Sequence, residues 1–241
     1  MWWFAAVHAN LLDLYQNLSQ RDHGIVTVSK PLLDAGCGTG GLLAKLAAVY
    51  PTRTVIGLDA DAFAATRARN KSGRPVCVGS VNALPFADGV FSAIFSADVL
   101  CHRDVDELRS LGQFRRCLAE GGLLLMNLPA YQWLLSHHDA SVYNVRRYSR
   151  RLIAALLCAS DLRLIKISYW NTVLFPMMVI TRKLLPARKG KTSDVVLQPS
   201  VVEAIGRFAI AMERRLRQRG IALPFGGSLI AAAANERSVD A

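Results

Sequence analysis

The sequence lacks the features of several classes of protein. Its five Cys residues form no CxxC pair and are odd in number, which argues against structural zinc and a disulfide framework, so we expect no metal. No uncharged apolar run reaches the roughly 18 to 20 residues of a membrane-spanning helix. The nearest, residues 167–181, is interrupted by Pro176. The first residues carry no basic leader pattern, so we expect no signal peptide and a cytoplasmic protein.

Acidic residues are scarce in the second half of the chain. Residues 1–130 contain 12 Lys and Arg against 11 Asp and Glu, whereas residues 131–241 contain 17 against 7. The formal net charge of +11 therefore comes almost entirely from the second half. Such an excess favours an anionic partner: a phosphate-bearing substrate, an acidic lipid surface or nucleic acid.

Short apolar runs alternate with helical patterns, and apolar residues make up 52% of the chain. This pattern predicts one domain with a mostly parallel sheet and helices on both faces, the doubly wound α/β class. The predicted strands are 32–36, 55–59, 75–79, 91–95, 123–128, 162–170 and 228–234. The predicted helices are 2–18, 42–49, 62–69, 105–118 and 150–158, with Gly121-Gly122 ending the fourth and Ser149 capping the fifth. Two further helical patches lie near 172–185 and 200–219.

A glycine-rich turn follows the first predicted strand in the segment 34–41, DAGCGTGG. Its spacing also satisfies the GxGxxG pattern of dinucleotide sites, which alone is weak. Asp34, just before the first Gly, would repel a pyrophosphate but could hold the ammonium end of an amino-acid cofactor. Asp59 ends the second strand, where a carboxylate can accept hydrogen bonds from ribose hydroxyls.

Three segments in order carry a family resemblance: LLDAGCGTGG (32–41), GLDAD (57–61) and GSVNALPFADGVFSAIFSADVLCH (79–102). The chain resembles class I S-adenosyl-L-methionine-dependent methyltransferases of the small-molecule branch. The resemblance implies a seven-stranded sheet with a final antiparallel strand and S-adenosyl-L-methionine as cofactor. Many relatives have Asp where Ser80 stands. The implied cofactor residues are Asp34, Gly36, Gly38 and Gly40 at the methionine end, Asp59 at the ribose, Ala60, Ser80, Val81 and Asn82 at the adenine, and Ser96 under the cofactor.

The segment after the fifth strand carries the candidates for acceptor chemistry, because open α/β sheets place ligands at the carboxyl ends of strands. His138 is the candidate general base, with Asp139 as its orienting carboxylate. A carboxylate or thiolate acceptor would need no base, and His138 could equally be structural. His102, after the fourth strand, is an alternative contact for cofactor or acceptor.

A second resemblance joins the opening Trp2-Trp3-Phe4, the pair His138-Asp139 and the triplet Arg146-Arg147-Tyr148. It is similar to a subset of methyltransferases with an HD…RRY signature, often associated with cell-surface glycan or lipid-linked sugar biosynthesis. Arg146, Arg147 and Tyr148 are then candidate acceptor-binding residues, since a guanidinium fits phosphate or carboxylate. A solvated pair at a helix start is the alternative for the two Arg.

The notably apolar run 169–180 is followed by clustered cations, a combination that suits the surface of an acidic membrane. We expect residues 172–219 to make peripheral contact with the inner face of a membrane or with a lipid-linked acceptor; a buried insertion with a solvated rim is the alternative.

The predicted parts of the single domain are a helical cap (1–30), the cofactor core (31–170), the insertion (171–224) and the last strand and tail (225–241). An RNA methyltransferase and a non-catalytic cofactor-binding partner subunit remain alternatives. Nucleic acid is disfavoured because aromatics are not interleaved with the Arg.

Overall fold

The computed structural model describes residues 2–21, 30–184, 200–219, 221 and 223–236. Helices and strands alternate along most of this length, as the sequence pattern predicts. The strands are β1 (Leu32–Ala35), β2 (Val55–Asp59), β3 (Val76–Val78), β4 (Phe91–Ala97), β5 (Leu118–Pro129), β6 (Arg163–Trp170) and β7 (Ser228–Ala234). The helices are α1 (Trp2–Arg21), α2 (Gly41–Val49), α3 (Ala62–Ser72), α4 (Glu107–Cys117), α5 (His137–Ser141), α6 (Arg150–Ala159), α7 (Phe175–Val179) and α8 (Ser200–Gln218), with a 3₁₀ turn at Gln132–Leu134 and a π-helical turn at Ile180–Leu184.

The described strands form one seven-stranded sheet in the order β3-β2-β1-β4-β5-β7-β6. Strands β1 to β5 pair in parallel, and β7 runs antiparallel to both β5 and β6. The predicted fold class is confirmed, including the final antiparallel strand. The carboxyl ends of β1, β2, β4, β5 and β6 consequently lie along one edge of the sheet, together with the start of β7.

The region where the fourth helix meets β5 differs from its prediction. The helix ends at Cys117, and β5 already begins at Leu118. Gly121 and Gly122 lie within that strand, where the β4–β5 register shifts between Phe91 and Ala93. Gly121 has φ 69°, and a Cβ on Gly122 would lie 2.7 Å from the Ala119 carbonyl oxygen. The two glycines therefore permit a bulge within the strand instead of ending the helix.

Both faces of the sheet are covered, as predicted. On one face, α4 and α6 pack against the sheet through apolar side chains that include Phe114 and Leu157. On the other, α1 and α2 cover a second cluster, and Trp3 of α1 stacks on Trp170 with ring centroids 4.7 Å apart. Phe4 is exposed, and the side chain of Trp2 lies outside the described residues. The N-terminal helix is thus part of the packed core.

The insertion before β7 is anchored by two charged side chains of α8. Glu213 is buried and accepts hydrogen bonds from the amides of Asn171 (2.7 Å) and Val173 (2.6 Å) just before α7. Arg214 forms an ion pair with Asp13 of α1. Residues 185–199 of the predicted insertion lie outside the described part of the chain. No helix within the described ranges is long and apolar enough to cross a membrane.

Candidate cofactor and acceptor site

The glycine turn between β1 and α2 bends through three residues with positive φ: Gly36 (77°), Gly38 (53°) and Gly40 (79°). L residues rarely adopt this conformation. A Cβ on Gly40 would lie 2.6 Å from the Cα of Ala68, whereas a Cβ on Gly38 would meet no atom within 4 Å. The turn thus packs tightly on α3 at Gly40 and faces open space at Gly38, where a ligand has room.

Asp34 lies in β1 directly before this turn and is 1% exposed. Its Oδ2 atom is buried without a hydrogen-bond partner in the described structure. The pKa of Asp34 is raised to about 7, chiefly by burial; the Leu43 amide opposes this shift and the nearby charge of Asp59 adds to it. A buried carboxylate without a partner is unfavourable, so this position suits a cationic ligand group.

Asp59 ends β2 on the other side of the turn. Its Oδ2 accepts a hydrogen bond from the Gly38 amide at 2.7 Å, and its Oδ1 accepts one from the Asp61 amide at 3.0 Å. These bonds fix the carboxylate and leave lone pairs for ligand hydroxyls. The neighbouring Ala60 is exposed. The structure therefore brings the predicted methionine-end and ribose residues together at one edge of the sheet.

The predicted adenine end is assembled only in part. Ser80 is exposed, and its hydroxyl accepts a bond from the Asn82 amide at 3.2 Å. Val81 buries its side chain in the core, so only its backbone can line a ligand. The Asn82 side chain donates to the Asp104 carbonyl at 2.8 Å and accepts from the Ser110 hydroxyl at 2.8 Å. The Asn82 side chain therefore joins neighbouring loops, and its predicted adenine contact stays a prediction.

Ser96 also differs from its predicted position under the cofactor. Asp34 pairs in register with Phe95 in the parallel β1–β4 ladder. Because successive strand residues point to opposite faces, the Ser96 side chain lies on the other face of the sheet from Asp34. Ser96 is buried and belongs to the interior.

Asp139 and Arg147, predicted to serve catalysis and acceptor binding, form a buried ion pair at 2.6 Å. The second Asp139 oxygen accepts from Arg182 at 2.7 Å and from the Ser136 amide at 3.0 Å. Arg147 also donates to the Ala130 carbonyl at 3.1 Å. Burial alone would raise the pKa of Asp139, but Arg147 and Arg182 outweigh it and lower the pKa. Both residues are engaged internally, which corrects their predicted roles.

The remaining acceptor candidates also have structural contacts. Arg146 donates to the carbonyls of Val105 (2.7 Å) and His102 (2.9 Å) and lies 3.4 Å from a Glu107 carboxylate oxygen. The Tyr148 hydroxyl is buried and donates to the Leu100 carbonyl at 2.8 Å. These contacts tie the segment after β5 to the loop after β4, so neither side chain is presented to an acceptor. His102 is exposed on that loop.

The predicted base His138 lies in the short helix α5. Its side chain, like that of His137, is outside the described residues. Because Asp139 is fully engaged by Arg147, Arg182 and Ser136, it cannot also orient an imidazole in the way the sequence suggested. His138 remains a prediction, without its proposed partner.

Asp98, which follows β4, is a site residue that the sequence analysis missed. It has φ 56°, an unusual conformation for a residue other than Gly. The Asn127 side chain donates to Asp98 Oδ1 at 2.8 Å, and the Trp170 indole donates to Asn127 Oδ1 at 2.8 Å. Burial raises the pKa of Asp98 to about 7, opposed by Asn127 and by Arg147. A carboxylate directly after a strand is the signal that identified Asp59, and it applied here as well.

His8 of α1 is the second missed residue. A Cβ on Gly41 would lie 2.7 Å from His8 Cε1, so the imidazole packs against the start of α2. Burial, followed by the charges of Lys45 and Lys71, lowers the pKa of His8 to about 4. The imidazole is therefore neutral at pH 7 beside the turn. No motif marks it, since it lies on a helix far away in sequence.

Within the ranges that the structure describes, no group of three or more His, Cys, Asp or Glu side chains is placed to hold a metal ion. The two carboxylates at this edge of the sheet, Asp34 and Asp98, lie in or directly after different strands and have different neighbours.

Comparison with known proteins agrees with this geometry. Residues 33–126 match the family described as methyltransferase domain. A malonyl-(acyl-carrier protein) O-methyltransferase from Geobacter sulfurreducens is 31% identical over 126 residues, which cover 49% of this chain and 47% of that protein. A 24-methylenesterol C-methyltransferase from Oryza sativa subsp. japonica is 32% identical over 111 residues, covering 43% of this chain and 29% of that protein. The chain thus spans about half or less of the length of these curated relatives.

The fold extends beyond the matched residues. A structure of geranyl diphosphate C-methyltransferase from Streptomyces coelicolor A3(2) superimposes with a TM-score of 0.59 at 16% identity. The superposition covers 92% of this chain and 77% of that one. That protein was solved with Mg²⁺, geranyl diphosphate and S-adenosyl-L-homocysteine. At this identity the likeness establishes the fold, including the strands after residue 126.

Proposed function

We propose that this protein is an S-adenosyl-L-methionine-dependent methyltransferase that acts on a small-molecule acceptor. The observation that carries the proposal is the buried, partly unpartnered carboxylate of Asp34 beside the open glycine turn at Gly38. The cofactor's amino-acid ammonium would neutralise Asp34, and Asp59 would accept hydrogen bonds from its ribose. The match of residues 33–126 to a methyltransferase domain supports the same assignment.

When bound, S-adenosyl-L-methionine supplies a methyl group activated by the sulfonium charge. The residues of this chain would hold it: Asp34 and the turn at Gly36 and Gly38 at the methionine end, Asp59 at the ribose, and the backbone of Val81 at the adenine. Transfer requires that the acceptor atom be held in line with the methyl carbon. The edge formed by the ends of β4 and β5 borders this position.

Calorimetric titration tests this proposal directly. S-adenosyl-L-methionine and S-adenosyl-L-homocysteine should both bind, and a nicotinamide dinucleotide should not. Asp34→Asn should weaken both nucleosides at least tenfold, since it removes a charge-assisted contact with their shared ammonium. Asp61→Asn is the matched control, because Asp61 caps α3 through the amides of Phe63 and Ala64. Binding of the dinucleotide in place of both nucleosides would refute the proposal.

We further propose that the acceptor is a glycan precursor or lipid-linked molecule reached at an acidic membrane surface. The α7–α8 surface, which we define by Val173, Met177, Ile180, Phe208 and Met212, supports this. Each of these apolar side chains is at least 42% exposed, and Phe208 is 74% exposed. Val173 lies in the turn before α7, Met177 lies within α7, and Ile180 begins the π-helical turn that follows it. Exposed cationic side chains follow on both elements, at Lys183, Arg215 and Arg219.

The two parts of the α7–α8 surface are joined because Glu213 of α8 binds the amide of Val173. An apolar face flanked by cations is the composition of interfacial helices that bind anionic lipid. The Streptomyces coelicolor neighbour was solved with a prenyl diphosphate, which supports an acceptor that combines an apolar chain with phosphate.

Vesicle co-sedimentation tests the membrane contact. The protein should sediment with phosphatidylglycerol vesicles and much less with phosphatidylcholine vesicles, and 0.5 M salt should release it (about a 4 Å screening length). Phe208→Glu with Met212→Glu should abolish sedimentation. The matched control is Phe63→Glu, since Phe63 is 69% exposed on the distant helix α3. Equal loss in the control, or no sedimentation of the unmodified protein, would refute the membrane contact.

A further inference from the structure

Asp98 lies between the cofactor turn and the segment expected to meet the acceptor. It directly follows β4, the strand between β1 and β5. Its neighbour Val99 packs so closely on Gly36 that a Cβ there would overlap a Val99 methyl group. On the other side, Asn127 near the end of β5 bonds to the Asp98 carboxylate. Asp98 therefore borders the glycine turn and the end of β5 at the same time.

From this position we propose that Asp98 faces the methyl-transfer centre and accepts the proton of a hydroxyl acceptor, with Asn127 and Trp170 as its positioning residues. The inference rests on the proposed methyltransferase function and deepens it, because it names the nucleophile class. A carboxylate or thiolate acceptor needs no base, whereas an alcohol or phenol does. The Asp98 carboxylate is placed where that base is needed.

The orientation of Asp98 is fixed by a chain of hydrogen bonds. Trp170 donates to the Asn127 carbonyl oxygen, so the Asn127 amide group must turn its donors towards Asp98. Trp170 is itself buried and stacked on Trp3 of α1. In the described structure Asn127 is the only side chain that donates to the Asp98 carboxylate, at Oδ1. We assign the other oxygen, Oδ2, to the acceptor.

The charges around Asp98 suit a base that works near neutral pH. Arg147 is the cation that acts on it, and its own guanidinium is committed to Asp139. The Cys101 thiol donates to the Asp98 carbonyl at 3.2 Å, and burial raises the pKa of that thiol strongly, so it stays neutral. With a pKa of about 7, Asp98 can hold or release a proton at physiological pH.

In the proposed step, an oxygen–carbon bond forms between the acceptor hydroxyl and the transferred methyl group as the carbon–sulfur bond breaks. The electron pair of the broken bond remains on sulfur and neutralises the sulfonium charge. Asp98 Oδ2 takes the hydroxyl proton, so the carboxylate becomes a neutral acid. Proton release to water then restores it for the next turnover.

Proton release on binding tests the inference without an acceptor. S-adenosyl-L-methionine carries a sulfonium charge that S-adenosyl-L-homocysteine lacks, while both carry the ammonium that faces Asp34. Calorimetry at pH 6.5 in two buffers of different ionisation enthalpy should show more protons released by the sulfonium ligand, because that charge ionises Asp98. Asp98→Asn should remove the difference and weaken the sulfonium ligand roughly tenfold more than its product, as expected for charges several Å apart.

Three variants test whether the difference in proton release depends on the position of the Asp98 carboxylate and not on the stability of the protein. Asp98→Glu should restore the difference in proton release, and Asp104→Asn, on the exposed loop beyond, should leave it unchanged. Asn127→Leu should move the pH of maximal difference upwards, because Asp98 loses the donor that lowers its pKa, an effect that a purely structural role would not produce. Equal proton release by both ligands in the unmodified protein, or a difference that persists in Asp98→Asn, would overturn the inference. Failure of both ligands to bind would refute the proposed function instead.

Discussion

Asp34 and Asp139 are both about 1% exposed, yet their surroundings are opposite. Asp139 has two Arg partners and the Ser136 amide, and these lower its pKa. Asp34 has a buried oxygen without a partner, and its pKa is raised. A buried charge with partners is tolerated within a fold, whereas one without partners requires a ligand or a proton. The comparison separates the structural carboxylate after β5 from the ligand-binding one in β1.

The largest expected effect falls on the paired carboxylate. Asp139→Ala should lower the free energy of unfolding by about 3 to 5 kcal/mol, because it leaves Arg147 buried without its counter-ion. Urea unfolding at pH 7 measures this. The double variant Asp139→Leu with Arg147→Met should recover part of the loss, since the buried Arg147 charge is then gone as well, although Arg182 still lacks its partner. A loss below about 1 kcal/mol for Asp139→Ala would contradict the assigned structural role.

The unpaired carboxylate should respond in the opposite direction. Asp34→Asn should raise the free energy of unfolding of the ligand-free protein at pH 8 by about 3 to 4 kcal/mol, while cofactor binding weakens at least tenfold. Between pH 4 and 7 the native carboxyl keeps a proton that the unfolded chain has released, so rising pH destabilises the unmodified protein across that window.

Urea unfolding at pH 4.5 and pH 8 checks this prediction for Asp34. The variant and the unmodified protein should differ little at pH 4.5 and clearly at pH 8. Asp98 titrates in the same range but is common to both proteins, so its contribution cancels. A variant that is less stable than the unmodified protein at pH 8 would show that Asp34 has a partner after all.

A smaller effect distinguishes two glycines of the same turn. Gly40→Ala should lower the free energy of unfolding by about 2 to 3 kcal/mol, because the new methyl group overlaps Ala68 in addition to the strain of positive φ. Gly38→Ala adds only the strain, about 1 kcal/mol, but its methyl group occupies the open space of the site. Thermal unfolding should therefore respond mainly to Gly40→Ala, and nucleoside affinity mainly to Gly38→Ala. Equal responses in both assays would remove the distinction.

The sequence was sufficient for the architecture and for the cofactor edge, for physical reasons. Strand and helix periodicity and the glycine turn are local signals, so β1, β2, α2 and the antiparallel β7 follow from them. Asp34 and Asp59 were identified because each stands at a strand end next to the turn. The bulge at Gly121-Gly122 was missed because a glycine pair reads equally well as a helix stop.

The acceptor side was less predictable, because residue type does not reveal a partner distant in sequence. Asp139 and Arg147 have the composition of a catalytic segment, but Arg182, more than thirty residues later, completes their ion-pair cluster. Asn82 is similarly committed to Asp104 and Ser110. Polar residues in loops form tertiary contacts that cannot be identified before the fold is known. Asp98 was predictable because, like Asp59, it is a carboxylate at the end of a strand. Its connection to Trp170 through the hydrogen bonds of Asn127 was not predictable.

The smallest expected effect calibrates the comparison. Asp88 forms an ion pair with Arg116 at 2.6 Å, the same distance as the pair of Asp139 with Arg147, but its side chain is 79% exposed. Asp88→Ala should change the free energy of unfolding by less than about 1 kcal/mol, because water already solvates both charges. Urea unfolding beside Asp139→Ala measures the two pairs under one condition. If the two variants lost equal stability, burial would not be what distinguishes these carboxylates, and the reading of Asp34 as a ligand site would lose its physical basis.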